Sequence, residues 1–509
     1  MYEQISTREE VDTAHASDTG AIEHFDAIVI GAGLGGLLSA TQLVQRGKRV
    51  LVLERLPHSG GRFTAKNFHG VQVSTGAVHM VPFGSSGVLS RMLQRLRVPH
   101  RFFDADVFGS FHVHGKQYQS RGVLGVLKFL GPLQSWWFLR AGWLLFFQPL
   151  PPHERKMTFD VWLRRHIPVE QCPQLEAFFA SISRFALSLE LSQVSTAEVV
   201  ETTKNMFRFS APAIVQGGCG SVTQQLEQQL TLRGGTLRLS CEVVQLLQED
   251  GRISGVRVRD KASKIETVYQ APLVVSDIGP RATEALLQSR SIRQADVLKS
   301  YKGEPRGKSH MVDEQNMLSE SILPEAVGLK VHILSDVSLI PHKGIMYCLD
   351  TQRIAGMVQP TNSDPTLAPA GKHLLISHQV ICSNNVEEER ALALADLRML
   401  FGDVFDTRCQ VLTMGTYRGE WPVNRIAQGE DVAPEMAVDG LYLVGDAVKP
   451  SGFLMVEGVA QSVNHFLDLL DTDQQGRAIP QRRRNVVAPP SRLYALRWLW
   501  KAPGNSGKS

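Results

Sequence analysis

The stretch from Phe25 to Arg62, FDAIVIGAGLGGLLSATQLVQRGKRVLVLERLPHSGGR, leaves few folds open. Ala27 to Ile30 is a short apolar run rich in β-branched residues, the pattern of a buried parallel strand. It runs directly into Gly31, Gly33 and Gly36, a G-x-G-x-x-G spacing. The first glycine permits a tight turn, the second lets the backbone approach a pyrophosphate, and the third lets a helix pack close to the strand. A helix over roughly Leu34 to Arg46 follows and aims its positive end at phosphates. Gly47 ends it, Arg49 to Leu53 is a second buried strand, and Glu54 closes that strand where a carboxylate can accept from a ribose hydroxyl pair. The order strand, glycines, helix, strand, acid points to a dinucleotide site. The acid argues against a 2′-phosphorylated adenine nucleotide.

Soon after the second strand come Gly60, Gly61 and Arg62, a second glycine turn that would let backbone pass close to the middle of a long dinucleotide. The chain has 509 residues, enough for two or three domains, and 43% apolar with 20% charged residues is a globular composition. Its net charge of +4 is uneven, because residues 471–509 carry +6 and the remainder −2. Six cysteines without a C-x-x-C pair predict reduced thiols, a cytoplasmic setting and no metal site. Met1 to Glu23 is polar and acidic, and reads as a disordered leader, neither signal peptide nor transit peptide.

The paired glycine turns resemble those of the flavin amine-oxidase and phytoene-desaturase superfamily, which implies non-covalently held FAD. Two further places carry the same resemblance. One is PAIVQGGCGSVTQQLEQQLTLRGGTLRLSCEVVQLLQEDGRISGVRV (212–258), followed by Leu273 to Asp277. There the family sets a valine N–H and C=O against the adenine, and Val243 is the matching position. The family commonly has Asn-Ala where this chain has Asp277-Ile278, so those two receive no role. The other is GLYLVGDAVKPSGFLMVEGVAQSVNHFLDLL (440–470). There Gly445-Asp446 ends a strand, with Asp446 able to meet the ribityl chain or a phosphate-bound water. Glu457-Gly458 opens a helix whose N–H groups can face the flavin N1/O2 edge, where its positive end would favour charge gained on reduction. The resemblance also places Gly76 beside the flavin. It implies a cofactor-binding set of Gly31, Gly33, Leu34, Gly35, Gly36, Glu54, Arg55, Gly61, Arg62, Gly76, Val243, Gly445, Asp446, Glu457 and Gly458. No catalytic residue follows from it. His79 and Glu457 are the nearest candidates for proton transfer, and His79 reads equally as a structural histidine.

The remaining chain is read by pattern. Phe68 to Pro82 alternates like a strand pair, Val88 to Leu96 is an amphipathic helix, and Met157 to Leu191 is helical with an aromatic stripe. Within Val123 to Leu150 the densest apolar part, Leu133 to Gln148, is bounded by prolines and holds Arg140. Sixteen helical residues span ~24 Å, short of a ~30 Å hydrocarbon core, so the segment does not cross a membrane. It is either a buried helix of the substrate domain, or an interfacial helix with Trp136, Trp137 and Trp143 at headgroup level and Arg140 snorkelling. Strands over Lys330 to Leu334 and Leu374 to Cys382 and a helix over Val386 to Leu400 complete the substrate domain. The tail beyond Gly476 holds Arg482 to Arg484 and the aromatic SRLYALRWLWK, and suits anionic lipid headgroups or simple solvation. It has no nucleic-acid recognition fold, so no nucleic-acid partner is expected.

The fold class expected is α/β, α+β overall. A discontinuous Rossmann-type FAD domain (24–100, 206–290, 431–471) carries an inserted mixed-sheet and helical substrate domain (101–205, 291–430), between a leader (1–23) and a basic aromatic tail (472–509). The resemblance implies an FAD-dependent oxidoreductase acting on a long hydrophobic isoprenoid by desaturation, isomerisation or saturation. Hydride transfer would occur at flavin N5, with peripheral membrane contact and a quinone or oxygen as electron acceptor. An amine-oxidase-like enzyme for a polar substrate, and a non-catalytic flavin- or carotenoid-binding protein, remain alternatives.

Overall fold

The computed structural model describes residues 23–76, 78–107, 109–120, 122–288, 325–429 and 434–475. The leader up to residue 22 and the basic tail from 476 lie outside the described residues. The strand Ala27–Ile30 is central. It pairs in parallel with Val50–Leu53 and with Val274–Ser276, and the sheet extends to Thr236–Arg238 on one edge and Leu441–Leu443 on the other. Five parallel strands thus come from chain segments more than 400 residues apart. The period of two along a strand sorts its side chains to opposite faces. Ala27 and Val29 face the helices Leu34–Gln45, Cys219–Leu232 and Met455–Gln475. Ile28 and Ile30 face a second sheet built from Cys241–Glu249, Arg252–Asp260 and Glu266–Gln270. Both faces are covered, which is why these strands read as unbroken apolar runs.

The second body is a seven-stranded mixed sheet. Its order is Cys409–Tyr417, Gly328–Ser335, His373–Val380, Ile354–Val358, Ile345–Cys348, Gly109–Val113 and Lys116–Ser120. The helix Pro173–Ala186 packs on one face and Val386–Phe401 on the other, each with its own apolar cluster. The helical stretch expected over 157–191 is broken into Phe159–His166 and Pro173–Ala186. Pro168 and Pro173 lie in the gap and at the restart, where proline is tolerated only in a first turn. The apolar segment forms Val123–Phe146, kinked at Gly131, whose φ of 72° and ψ of 175° are not helical, just before Pro132. One face packs inward through Ala141 and Leu145. Leu133, Trp136, Leu139, Trp143 and Phe147 are each more than half exposed. Neither expectation describes it fully: half of it is core and half is an open apolar face. No helix among the described residues is long and apolar enough to cross a membrane.

Candidate cofactor and substrate site

The two glycine turns lie side by side. Gly33 bridges to Gly60, and the Gly60 N–H donates to the Ala32 carbonyl at 2.7 Å. Gly31 has a φ of +94°, a turn that an L side chain resists. The helix Leu34–Gln45 begins at Gly33, which has no side chain to cap it, and Gly33, Leu34 and Gly35 at its start line a cavity of about 910 Å³. That volume is in the upper range for ligand sites. Gly31, Gly33, Leu34, Gly35, Glu54, Arg55, Gly61, Arg62, Gly76, Val243 and Asp446 all line it. Glu54 is held in place from behind: its two oxygens accept from Ala32 N–H at 2.8 Å and Leu56 N–H at 2.9 Å. A Cβ at Gly76 would come within 2.9 Å of the Arg62 Cβ, so only glycine lets that backbone close on the turn.

Arg62 is committed to the protein as well as to the cavity. Its guanidinium donates to the carbonyls of Pro422 (2.8 Å) and Val423 (3.1 Å) and pairs with Asp446 at 2.7 Å. Asp446 also accepts from the Arg425 N–H at 2.7 Å and pairs with its guanidinium at 3.2 Å. Burial alone would raise the Asp446 carboxyl; the two guanidiniums outweigh it and hold the group well below the usual carboxylate range.

Four residues of the expected set, Gly36, Gly445, Glu457 and Gly458, do not line the cavity. Met455, Val456 and Val459 of the closing helix line the cavity. At 100° per residue, Glu457 is turned to the opposite side. Its carboxylate accepts from Leu89 N–H at 2.9 Å and caps the helix Val88–Arg95 from within the core. Gly458 lies behind the wall, where a Cβ would meet Lys449 and the Phe453 carbonyl at 2.9 Å. Glu457 and Gly458 are therefore corrected from cofactor contacts to packing positions. Gly36 likewise packs helix on strand, while Gly445 reaches the site only through Asp277, which a Cβ there would strike. His79 is buried and structural. Its Nε2 donates to the Gln72 carbonyl at 2.7 Å, its Nδ1 accepts from Cys219 N–H at 3.1 Å, and burial lowers it to about 4.

Sequence reasoning missed Lys330. It lines the chamber from the strand Gly328–Ser335, with Nζ 4.6 Å from the centre of the Tyr417 ring. Burial lowers its amine to about 7. The signal was available: GLKVHILS is a buried strand with one lysine in it, and a lysine is seldom fully buried without a reason. Phe185, Val78 and Met80 supply apolar wall to the same cavity. A helix N-terminus opening on the cavity, glycines that approach where a Cβ would not fit, and a fixed acid at the strand end together fit a dinucleotide. Metal-binding groups of three or more ligating side chains are absent among the described residues.

A family model described as flavin containing amine oxidoreductase matches residues 34–462. A solved structure of an oxidoreductase from Methanosarcina mazei is 32% identical with a TM-score of 0.74, over 87% of this chain and 99% of that one. An uncharacterized protein from Methanocaldococcus jannaschii is 30% identical over 445 residues, 87% of this chain and 99% of its own. Prolycopene isomerase 2 of an Oncidium hybrid cultivar is 23% identical over 505 residues, 85% of this chain and 82% of the isomerase.

Proposed function

The chain belongs to the flavin containing amine oxidoreductases and uses FAD, and from that premise we propose that it acts on a long hydrophobic isoprenoid, desaturating, saturating or isomerising a polyene. The observation that carries this reading is the open face of the helix Val123–Phe146. Five large apolar side chains stand more than half exposed there, beside an otherwise well-packed core. Contiguous exposed apolar surface of this kind marks a binding face. Arg140 lies over the rings of Trp136 and Trp137, at 5.9 and 5.8 Å, an arrangement suited to a headgroup boundary. We place this face against a membrane from which a lipid-like substrate is drawn. The similarity to a prolycopene isomerase across most of both chains supports the same substrate class.

When bound, FAD supplies hydride transfer at its flavin N5. The chain's own residues do the rest. Phe185, Val78 and Met80 exclude water from the chamber. Lys330, with an amine lowered to about 7 by burial, takes or returns a proton at neutral pH while Tyr417 fixes its position. The first turn of the closing helix points its positive end into the cavity. In desaturation a quinone or oxygen would then accept the electrons.

Lys330 also favours a second reading, because a buried amine suits a substrate with a polar group more directly than it suits a hydrocarbon. One experiment separates the two. The oxidised and the reduced holoenzyme are mixed anaerobically with phytoene or poly-cis lycopene in vesicles, or with a polar amine in solution. A new polyene product, with no flavin bleaching by the amine, is the expected result. Bleaching by the amine with every polyene returned unchanged would overturn the proposal.

A further inference from the structure

Asp277, left without a role by its sequence context, stands in the middle of the phosphate cradle. It follows the strand Val274–Ser276, and its own N–H is fixed to the Ile30 carbonyl at 2.9 Å. Its Oδ2 accepts from the Gly36 N–H at 2.9 Å, in the first turn of the helix Leu34–Gln45. A Cβ on Gly33 would come to 2.5 Å from Oδ2, one on Gly35 to 2.6 Å from Oδ1, and one on Gly445 would also strike Oδ1. Glycines from the N-terminal fingerprint and from the closing motif therefore converge on one carboxyl. That is the place where the fingerprint lays a pyrophosphate against the helix N-terminus.

Two anions cannot share those donors without repulsion. The charged groups around Asp277 offset it only in part. Arg62 and Arg425 face it, but both are already paired with Asp446, a second carboxylate on the same side. Glu54 lines the cavity from the neighbouring strand end, and Arg281 stands on the segment after Gly279. The first turn of the helix Leu34–Gln45 carries no acidic residue, so its dipole adds to the attraction of the two shared guanidiniums. Burial pushes the Asp277 carboxyl up to about 7, with Asp446 adding to the rise and Gly36, Arg425 and Arg62 opposing it.

We propose that Asp277 makes FAD loading proton-coupled: the cofactor is taken up together with one proton, which neutralises this carboxyl so that it donates a hydrogen bond to the pyrophosphate instead of repelling it. The sign follows from linkage. A group that is protonated in the complex and ionised in the free protein weakens binding as pH rises.

The inference rests on FAD as cofactor and is independent of the substrate. The apo-protein is titrated with FAD between about pH 6 and 8.5, following flavin fluorescence at constant ionic strength. Calorimetry in buffers of different ionisation enthalpy counts the protons. In the wild type, Kd is expected to rise about tenfold per pH unit above about 7, with about one proton taken up per FAD near pH 8. Asp277→Asn is expected to bind with a Kd nearly constant over the same range, and more tightly than wild type at the alkaline end. A wild-type Kd flat with pH, or no proton uptake, overturns the proposal whether or not the variant folds. So does a variant that keeps the wild-type slope. Failure of FAD to bind at any pH would remove the cofactor itself, an outcome distinct from a flat profile.

Discussion

Two buried ionisable side chains show how similar shifts can mean different things. Glu457 is completely buried and raised to about 7 by desolvation, yet it touches backbone N–H groups and not the cavity. Its folded pKa lies above its unfolded value, so the penalty for ionising it is absent at acid pH and complete above about 7. Glu457→Gln is expected to gain stability relative to wild type as pH rises from about 4.5 to 7, on the order of 3 kcal/mol. FAD affinity should stay within about threefold, since the carboxyl is not a cofactor contact. Thermal midpoints by circular dichroism across pH, and one FAD titration, check both. Lys330 is shifted by the same cause in the opposite sense, to about 7, but faces the chamber. Its folded pKa lies below its unfolded value, so the destabilisation is full below about 7 and fades as pH approaches its unfolded pKa. Lys330→Met is expected to raise stability at neutral pH by ~2–4 kcal/mol and to lower turnover by ~10²-fold or more. A variant that is more stable and equally active would remove Lys330 from the chemistry.

At the scale of elements, local pattern was enough where one physical rule dominated. The strand Ala27–Ile30, the helix from Leu34 and the helix from Val386 are where periodicity and glycine placement put them. Pattern failed where two rules competed. Aromatic periodicity suggested one helix over 157–191, but Pro168 and Pro173 break the backbone whatever the side chains favour. In 123–150 apolar residues fall on every side of a helix, so periodicity could not say which face turns inward. Only the packing of Ala141 and Leu145 settles that, and it leaves Trp136 and Trp143 outward. Those two side chains belong to an element face and not to the core. The double replacement Trp136→Ser and Trp143→Ser is expected to leave the thermal midpoint within a few degrees. It should weaken binding to anionic vesicles at least ~30-fold, from ~2–4 kcal/mol of lost apolar contact. Sedimentation with vesicles measures it, and unchanged partitioning would detach this face from the membrane.

The parallel sheet collects strands from 27–53, 236–238, 274–276 and 441–443, and the glycine fingerprints that announce a dinucleotide lie at its strand ends. The fingerprints were legible because each needs specific residues at fixed local spacing. What they could not reveal is how the pieces lock, since Arg62 lies more than 350 positions before Arg425 and Asp446 and each is an ordinary charged residue alone. Together they form one ion triad, two partly buried guanidiniums on a buried carboxylate, that joins the second glycine turn, the 422–425 loop and the closing strand. Removing one partner of such a cluster strands the others, at about 3–5 kcal/mol. Asp446→Asn leaves two guanidiniums facing each other across a neutral amide, so a loss of that size in folding stability is expected. The Asp446 pKa is depressed, so its contribution is present above the unfolded value and is lost only as pH falls through the folded value in strong acid. The stability difference between wild type and Asp446→Asn should therefore be constant from about pH 5 to 8, unlike that of Glu457→Gln. Because the triad fixes the turn holding Gly60 and Gly61 against Gly33, FAD retention on gel filtration should fall with it. Denaturant melts at several pH values, run beside that retention assay, test the claim. A variant with wild-type stability and full cofactor retention would mean that the three segments are held together by the apolar sheet alone.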